Sequence, residues 1–180
     1  MYSDILILTM LRVRPQHGYE LKKSVQRVLG QSISLNNKIL YPALRRFEDM
    51  GAVQRQVLHQ EGKPDRHIYQ LTDRGMEVLE ALLREYTPES LSDNAEFMVR
   101  VAFFEWLDPA VCVDILTMRA QSVEKHMQHM NTMLRATEEM EKRPYARRLL
   151  QFQLQQIQNE LVWIDSLKQE FLSQLEHQSC

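Results

Sequence analysis

Asn36-Asn37-Lys38-Ile39-Leu40-Tyr41-Pro42-Ala43-Leu44-Arg45-Arg46-Phe47-Glu48 is the stretch on which the reading of the fold turns. Leu40, Leu44 and Phe47 recur at i, i+4 and i+7, the spacing of one helix face. Asn36 or Asn37 supplies a side chain able to cap the free N–H groups at its start. Pro42 falls within the first two turns, where a missing N–H costs least, and Gly51 ends the helix.

Outward from that helix, the pattern on both sides is compact and turn-rich. Residues 3–13 are apolar on most faces, as in a short buried helix, and Arg14-Pro15-Gln16 breaks them. A second helix is expected from Gly18 to Leu29, with Tyr19, Leu21, Val25 and Val28 inward and Lys22, Lys23 and Arg27 outside. Gly30 suits its C-terminal cap. After Gly51 the period changes to two: residues 53–57 and 67–71 read as strands joined by a polar turn, Gln60 to Asp65. Thr72 or Asp73 then caps a fourth helix to about Tyr86. Helix, helix, turn, helix, hairpin is the order of a winged helix-turn-helix. In that arrangement the third helix reaches base edges in the major groove and the hairpin tip reaches adjacent backbone or minor groove.

The remainder is long helix. Residues 87–94 read as a linker, a short apolar helix follows from Ala95 to Leu107, and Asp108-Pro109 opens a helix expected to run to Lys142. Pro144 opens the last, to about Glu176. Along it Leu150, Leu154, Ile157, Leu161, Ile164, Phe171 and Leu175 follow 4-3 spacing, the mark of a helix packed along another helix. Cys112, Ile115, Val123, Met127, Met130 and Leu134 make a comparable stripe on its predecessor. The expectation is that each such pair packs against the same pair of a second subunit across a two-fold axis. The fold class expected is therefore mainly α: a winged-helix domain over 1–86 and a helical dimerisation domain over 87–180.

Composition fits a soluble chain of 180 residues, 44% apolar and 26% charged. No apolar run approaches the roughly 18 residues that span a bilayer, and no secretory signal opens the sequence, so a cytoplasmic protein is expected. The net charge of −2 divides unevenly: residues 1–86 carry 13 Lys+Arg against 10 Asp+Glu, the rest 9 against 14. That asymmetry has the sign of an N-terminal nucleic-acid module.

The segments His17-Gly18-Tyr19-Glu20-Leu21, Leu40 to Glu48, Gly51, Gly62-Lys63-Pro64 and Tyr69 to Gly75 resemble, in order and spacing across residues 1–80, the PadR family of bacterial regulators. The helical tail is similar to that family's C-terminal dimerisation domain. The resemblance implies a homodimeric winged-helix regulator, often a repressor released by a small molecule, on a roughly palindromic double-stranded operator. It implies contacts from Asn36, Asn37, Lys38, Tyr41, Arg45 and Arg46 of the third helix and from Lys63 and Arg66 of the wing. Two of these have a competing structural reading: Tyr41 as core, and Arg45 with Arg46 as a solvated face paired to Glu48 or Asp49. The family usually starts this helix with a Ser-x-Gly-Thr pattern, so Asn36-Asn37-Lys38-Ile39 is expected to make different base contacts.

Phe97, Phe103, Phe104 and Trp106 are read either as interdomain core or as an apolar effector pocket, since regulators of this kind bind effectors where domain and tail meet. His126 and His129 lie one turn apart without the third and fourth ligands a metal site needs, and Cys112 and Cys180 follow no metal or disulfide spacing. No cofactor is expected. No phosphate loop, metalloprotease motif or nucleophile elbow is present, so the chain is not expected to be an enzyme. The alternative function is a winged-helix protein-interaction module without specific DNA binding, which the near-neutral total charge favours.

Overall fold

The computed structural model describes residues 2–30, 35–60, 63–135 and 142–178; the side chains of 59, 60, 63–65 and 178 lie outside that description. The chain divides into two compact units, Met1–Tyr86 with Asn94–Phe103, and Thr87–Asp93 with Phe104–Cys180.

The first unit is built around α1 (Tyr2–Val13), in which every residue from Ile5 to Leu11 is buried. A helix apolar all round must be covered on all sides, and α1 packs against α2 (Gly18–Leu29), α3 (Asn37–Asp49), α4 (Asp73–Arg84) and α6 (Asn94–Val101). Strands β2 (Val53–Gln60) and β3 (Lys63–Leu71) form the antiparallel hairpin. It is longer than the alternating pattern suggested: Gln60 pairs with Lys63, inside the stretch read as a turn. Ladder hydrogen bonds need only backbone, so a ribbon polar on both faces extends where side-chain alternation has stopped.

A third strand, β1 (Gln16–His17), was not foreseen; it pairs with β3 and gives the order β1-β3-β2. Two residues are too few to display a period, and the clue is instead Gln16, a buried amide. Its Nε2 donates to the Met10 carbonyl at 2.6 Å and its Oε1 accepts from the Ser24 hydroxyl at 2.9 Å. Those bonds join the end of α1 to the middle of α2.

The turn after α3 shows why two glycines sit where they do. Gly51 has φ +68°, in the left-handed region that side chains avoid. Gly75 approaches the wing base so closely that a Cβ would lie 2.1 Å from the Ala52 carbonyl oxygen. Thr72 completes this corner, donating to the Gly51 carbonyl at 2.7 Å and capping α4 by accepting from Gly75 N–H at 3.1 Å. The end of α3, the root of the wing and the start of α4 are thereby one rigid joint.

Three further expectations need correcting. Tyr19 and Val28 are exposed rather than inward; only Gly18, Leu21 and Val25 of α2 are buried. Residues 87–94 are not plain linker, because Thr87 caps α5 (Pro88–Ser92) by accepting from Ser90 N–H at 3.2 Å, with Pro88 in the first helical turn. The helix expected over 95–107 is α6 followed by a separate 3-10 turn, Phe104–Trp106. That break coincides with the passage of the chain from the first unit to the second; no glycine or proline marks it.

The second unit is dominated by α7 (Pro109–Arg135) and α8 (Pro144–Gln178). Asp108 caps α7 by accepting from Ala110 N–H at 2.8 Å. The two sequence stripes meet each other within one chain: Val123 and Met130 of α7 with Leu154 and Ile157 of α8 form its core, flanked by Met127, Leu134, Leu150 and Leu161. Residues 136–141, where α7 was expected to continue, lie outside the described residues. Among the described residues no helix is long and apolar enough to cross a membrane.

Candidate nucleic-acid interface

Helix α3 is positioned by its inner face and presented by its outer one. Leu40, Ala43, Leu44 and Phe47 are buried, while Asn36, Asn37, Lys38, Tyr41, Arg45 and Arg46 are exposed. Asn36 is the N-cap, its Oδ1 accepting from Ile39 N–H at 3.0 Å. Asn37 lies next to it and accepts from Lys22 Nζ of α2 at 2.7 Å.

The six expected contacts on α3 are not equivalent. Tyr41 divides the two readings offered for it. It is 41% exposed, yet its ring lies over Gly18 so closely that a Cβ there would be 3.1 Å from Cε1. Arg46 is committed to structure: its Nη2 meets Asp4 Oδ1 of α1 at 2.5 Å and its guanidinium lies 5.0 Å from the Phe47 ring centre. The pairing expected with Glu48 or Asp49 goes elsewhere, since Glu48 pairs with Arg55 at 3.1 Å. Arg45 is exposed.

Two open concavities flank the helix, and residues outside the expected set line both. A groove of about 660 Å³ runs between α2 and the start of α3, with Lys22, Lys23 and Lys38 on its walls and no carboxylate among its lining residues. A cleft of about 600 Å³ lies between α2, β1 and β3, with Arg14, Lys23, Arg27 and Arg66 against a single Glu20. Glu20 is partly occupied, accepting from His17 N–H at 3.2 Å, and His17 Nδ1 lies 2.9 Å from the His67 carbonyl. Burial first, and then the nearby Glu48, push the Tyr69 phenol above its ordinary range. It therefore stays a neutral donor at the cleft wall.

The sequence placed Lys22, Lys23 and Arg27 outside α2 but gave them no role. The available signal was their register on a helix whose other face is Leu21 and Val25. Arg14 and His17 carried no such signal, because only the pairing of β1 with β3 brings them to Arg66 and His67. Arg66 is exposed on β3; Lys63 opens that strand, and its side chain lies outside the described residues.

The remaining candidates are placed as follows. Phe97 and Phe103 are buried in the first unit, whereas Phe104 belongs to the second and meets Phe171 edge-on at 5.6 Å. Trp106 is part-buried in the second. Leu154, Ile157 and Ile164 are buried within the single chain, and Leu150, Leu161, Phe171 and Leu175 are part-buried. Cys112 is buried, and desolvation pushes its thiol up to about 11, which keeps it protonated and unreactive at neutral pH. Cys180 lies outside the described residues.

Comparison with known proteins matches two stretches of the chain separately. The sequence profile of the Transcriptional regulator PadR-like family matches residues 7–81, and that of Virulence activator alpha C-term matches residues 94–171. The chain is 28% identical over 109 residues to the Negative transcriptional regulator PadR of Bacillus subtilis; the match covers 61% of this chain and 60% of that relative's length. A crystal structure of Bacillus subtilis PadR in complex with operator DNA is similar at 22% identity, covering 95% of this chain and 99% of that one, with a TM-score of 0.46. A PadR family transcription regulator from Clostridium difficile is 31% identical, over 46% of this chain and 83% of its own, with a TM-score of 0.39. The PadR-like profile spans α1 to α4, the elements from which the winged helix is built, so residues 7–81 are a domain of the PadR-like transcriptional-regulator type.

Proposed function

We propose that this chain is a cytoplasmic homodimeric repressor that binds a roughly palindromic duplex operator through residues 1–86, with residues 87–180 as dimerisation and effector domain. The observation that carries the DNA reading is the pair of cationic concavities around α3, which hold five Lys and Arg beside Lys38 and only one carboxylate. Phosphate neutralisation dominates affinity for duplex DNA, and such a surface supplies it whatever the net charge of the chain. The same cations weigh against the protein-interaction module. The sign of regulation rests on the relative named a negative regulator. Release by a small aromatic effector rests on the family resemblance and on the closeness of Phe97, Phe103, Phe104 and Trp106 in the sequence.

A gel shift with the chain's own promoter at two salt concentrations tests this reading. The expected result is a specific shift that weakens steeply with salt. In Lys38→Ala the slope of log affinity on log salt is expected to fall by about 0.9, one phosphate contact. No shift at low salt would leave the interaction module standing. In a two-fold dimer the half-sites are expected about one turn (~34 Å) apart.

Dimerisation through α8 has support beyond the inward stripe. On its opposite side Tyr145, Leu149, Phe152, Gln156, Asn159 and Trp163 repeat with 4-3 spacing, and Leu149 and Phe152 are more than half exposed. An antiparallel copy sets Phe152 opposite Trp163 and Gln156 opposite Asn159, a self-complementary match as two-fold symmetry requires. Phe152→Asp is therefore expected to give a folded monomer by sedimentation, and Leu154→Asp, aimed at α7, an unfolded tail. A dimeric Phe152→Asp protein would return the interface to the Leu150–Leu175 stripe.

A further inference from the structure

The bond between Lys22 and Asn37 has a consequence for what α3 can read. An ammonium carries donors and no acceptor, so the Asn37 atom 2.7 Å from Lys22 Nζ must be the carbonyl oxygen. The orientation of that amide is thus fixed by chemistry, and its NH₂ is the part left for a ligand. Asn36 is in the same condition, since its Oδ1 is spent on Ile39 N–H at 3.0 Å. Lys38 adds another ammonium. Three consecutive exposed side chains therefore offer mainly hydrogen-bond donors, each amide oxygen having one of its two lone pairs engaged, beside a groove whose lining holds no carboxylate to quench them.

We infer that Lys22 is a positioning residue for sequence specificity: by occupying the carbonyl of Asn37 it sets α3 to read acceptor edges, guanine above all, rather than adenine. The inference rests on the DNA-binding reading above. An asparagine that recognises adenine uses both ends of its amide, donating to N7 and accepting from the N6 amino group. With Oδ1 turned to Lys22 and one of its two lone pairs taken, the second bond is disfavoured, and the adenine amino group would face the Asn37 and Lys38 donors. Guanine presents two adjacent acceptors, N7 and O6, in the major groove; thymine presents one, O4, and cytosine an amino donor. The order expected at this position is guanine, then thymine, then adenine and cytosine. Phosphate oxygens would accept the same bonds without base preference, and that is an outcome of the test.

The full chain is allowed to select from duplexes with a randomised centre. Affinities are then measured for the selected operator and each of its single-base-pair replacements, using the wild type, Lys22→Met, Lys22→Arg and Asn37→Ala. All four proteins are first compared by thermal unfolding. The expected operator has a guanine whose preference vanishes in Asn37→Ala and which the wild type favours over adenine by roughly tenfold or more. Lys22→Met is expected to let Asn37 turn and to reduce that ratio below about threefold. Lys22→Arg, still a donor without an acceptor, is expected to preserve it. An adenine at the Asn37-dependent position, or a Lys22→Met protein that loses affinity equally for every sequence, overturns the assignment while leaving DNA binding intact. A chain that enriches no sequence overturns the DNA-binding reading and this inference together.

Discussion

Lys22, Lys23, Arg27 and Lys38 stand at the surface around α3, while Arg100 and Arg119, one in each unit, have their guanidinium groups almost wholly inside. Arg100 donates to the carbonyls of Leu82, Leu83 and Glu85 at 3.1, 2.8 and 2.8 Å and to Glu96 at 2.8 Å. It thus gathers carbonyls that the end of α4 leaves without helical partners. Arg119 does the same for α5, donating to Leu91 and Ser92 carbonyls at 2.9 Å each, with Glu160 as its carboxylate at 2.6 Å. These arginines have spent their donors on protein, save Arg100 Nε, which is buried and finds no partner among the described residues. The groove cations have spent few, and a charge count treats the two kinds alike. What bears on DNA binding is the number of cations with donors to spare, which a formal charge of −2 does not report.

Removing an interior arginine is the harshest way to break this contrast. Arg100→Met takes the guanidinium from several carbonyls and from the buried Glu96, and is expected to cost about 3–5 kcal/mol by urea denaturation. Arg119→Met should cost somewhat less, about 2–4 kcal/mol, because Glu160 is partly exposed and can turn to water. In both, the folded fraction should keep its salt slope on DNA. A loss below about 1 kcal/mol at Arg100 would mean that the hub is ornamental.

The interior hubs also mark the limit of what the sequence disclosed. The winged helix was readable because periodicity, caps and turn residues agree locally: Leu40, Leu44 and Phe47 on one face, Asn36 at the cap, Gly51 at the stop. Nothing of the sort announces Arg100, whose partners come from the end of α4, or Glu160, which meets Arg119 from 41 residues away. The same holds for β1, too short to show a period. On α8 the sequence displayed the stripe clearly and left its partner undetermined, since 4-3 spacing tells that a helix packs on another and not whose helix it is. Half of the candidate interface was legible in this sense. The contacts on α3 follow from helix register, whereas Arg14 and His17 join it only through strand pairing.

A groove cation tests the other side of the contrast. Lys23 stands between the groove and the cleft and lies 4.7 Å from the Tyr19 ring. Lys23→Ala is expected to change stability by no more than about 0.5 kcal/mol, as for an ordinary surface site. It should lower the salt slope of DNA binding by about 0.9. Unchanged affinity and slope would remove α2 from the interface and confine it to α3 and the wing.

Arg45 and Arg46 bring the contrast down to neighbouring residues and to its smallest expected effects. Both are exposed on α3, and by composition alone they are interchangeable. Arg46 is tied to Asp4 across to α1 and lies over Phe47, although its side chain is still 53% exposed. An ion pair so placed is expected to contribute no more than about 1 kcal/mol. Arg46→Ala should therefore lower stability slightly and leave the salt slope on operator DNA as it was. Arg45→Ala should do the reverse, with unfolding unchanged and the slope reduced by about one contact. Because α1 lies at the centre of the first unit, the Arg46–Asp4 bond ties α3 to that core, and its expected role is to hold the helix rather than to touch DNA. An Arg46→Ala protein with the lower slope and full stability would show that the guanidinium leaves Asp4 for phosphate when DNA arrives. The division between structural and ligand-facing cations would then hold only for those buried as deeply as Arg100.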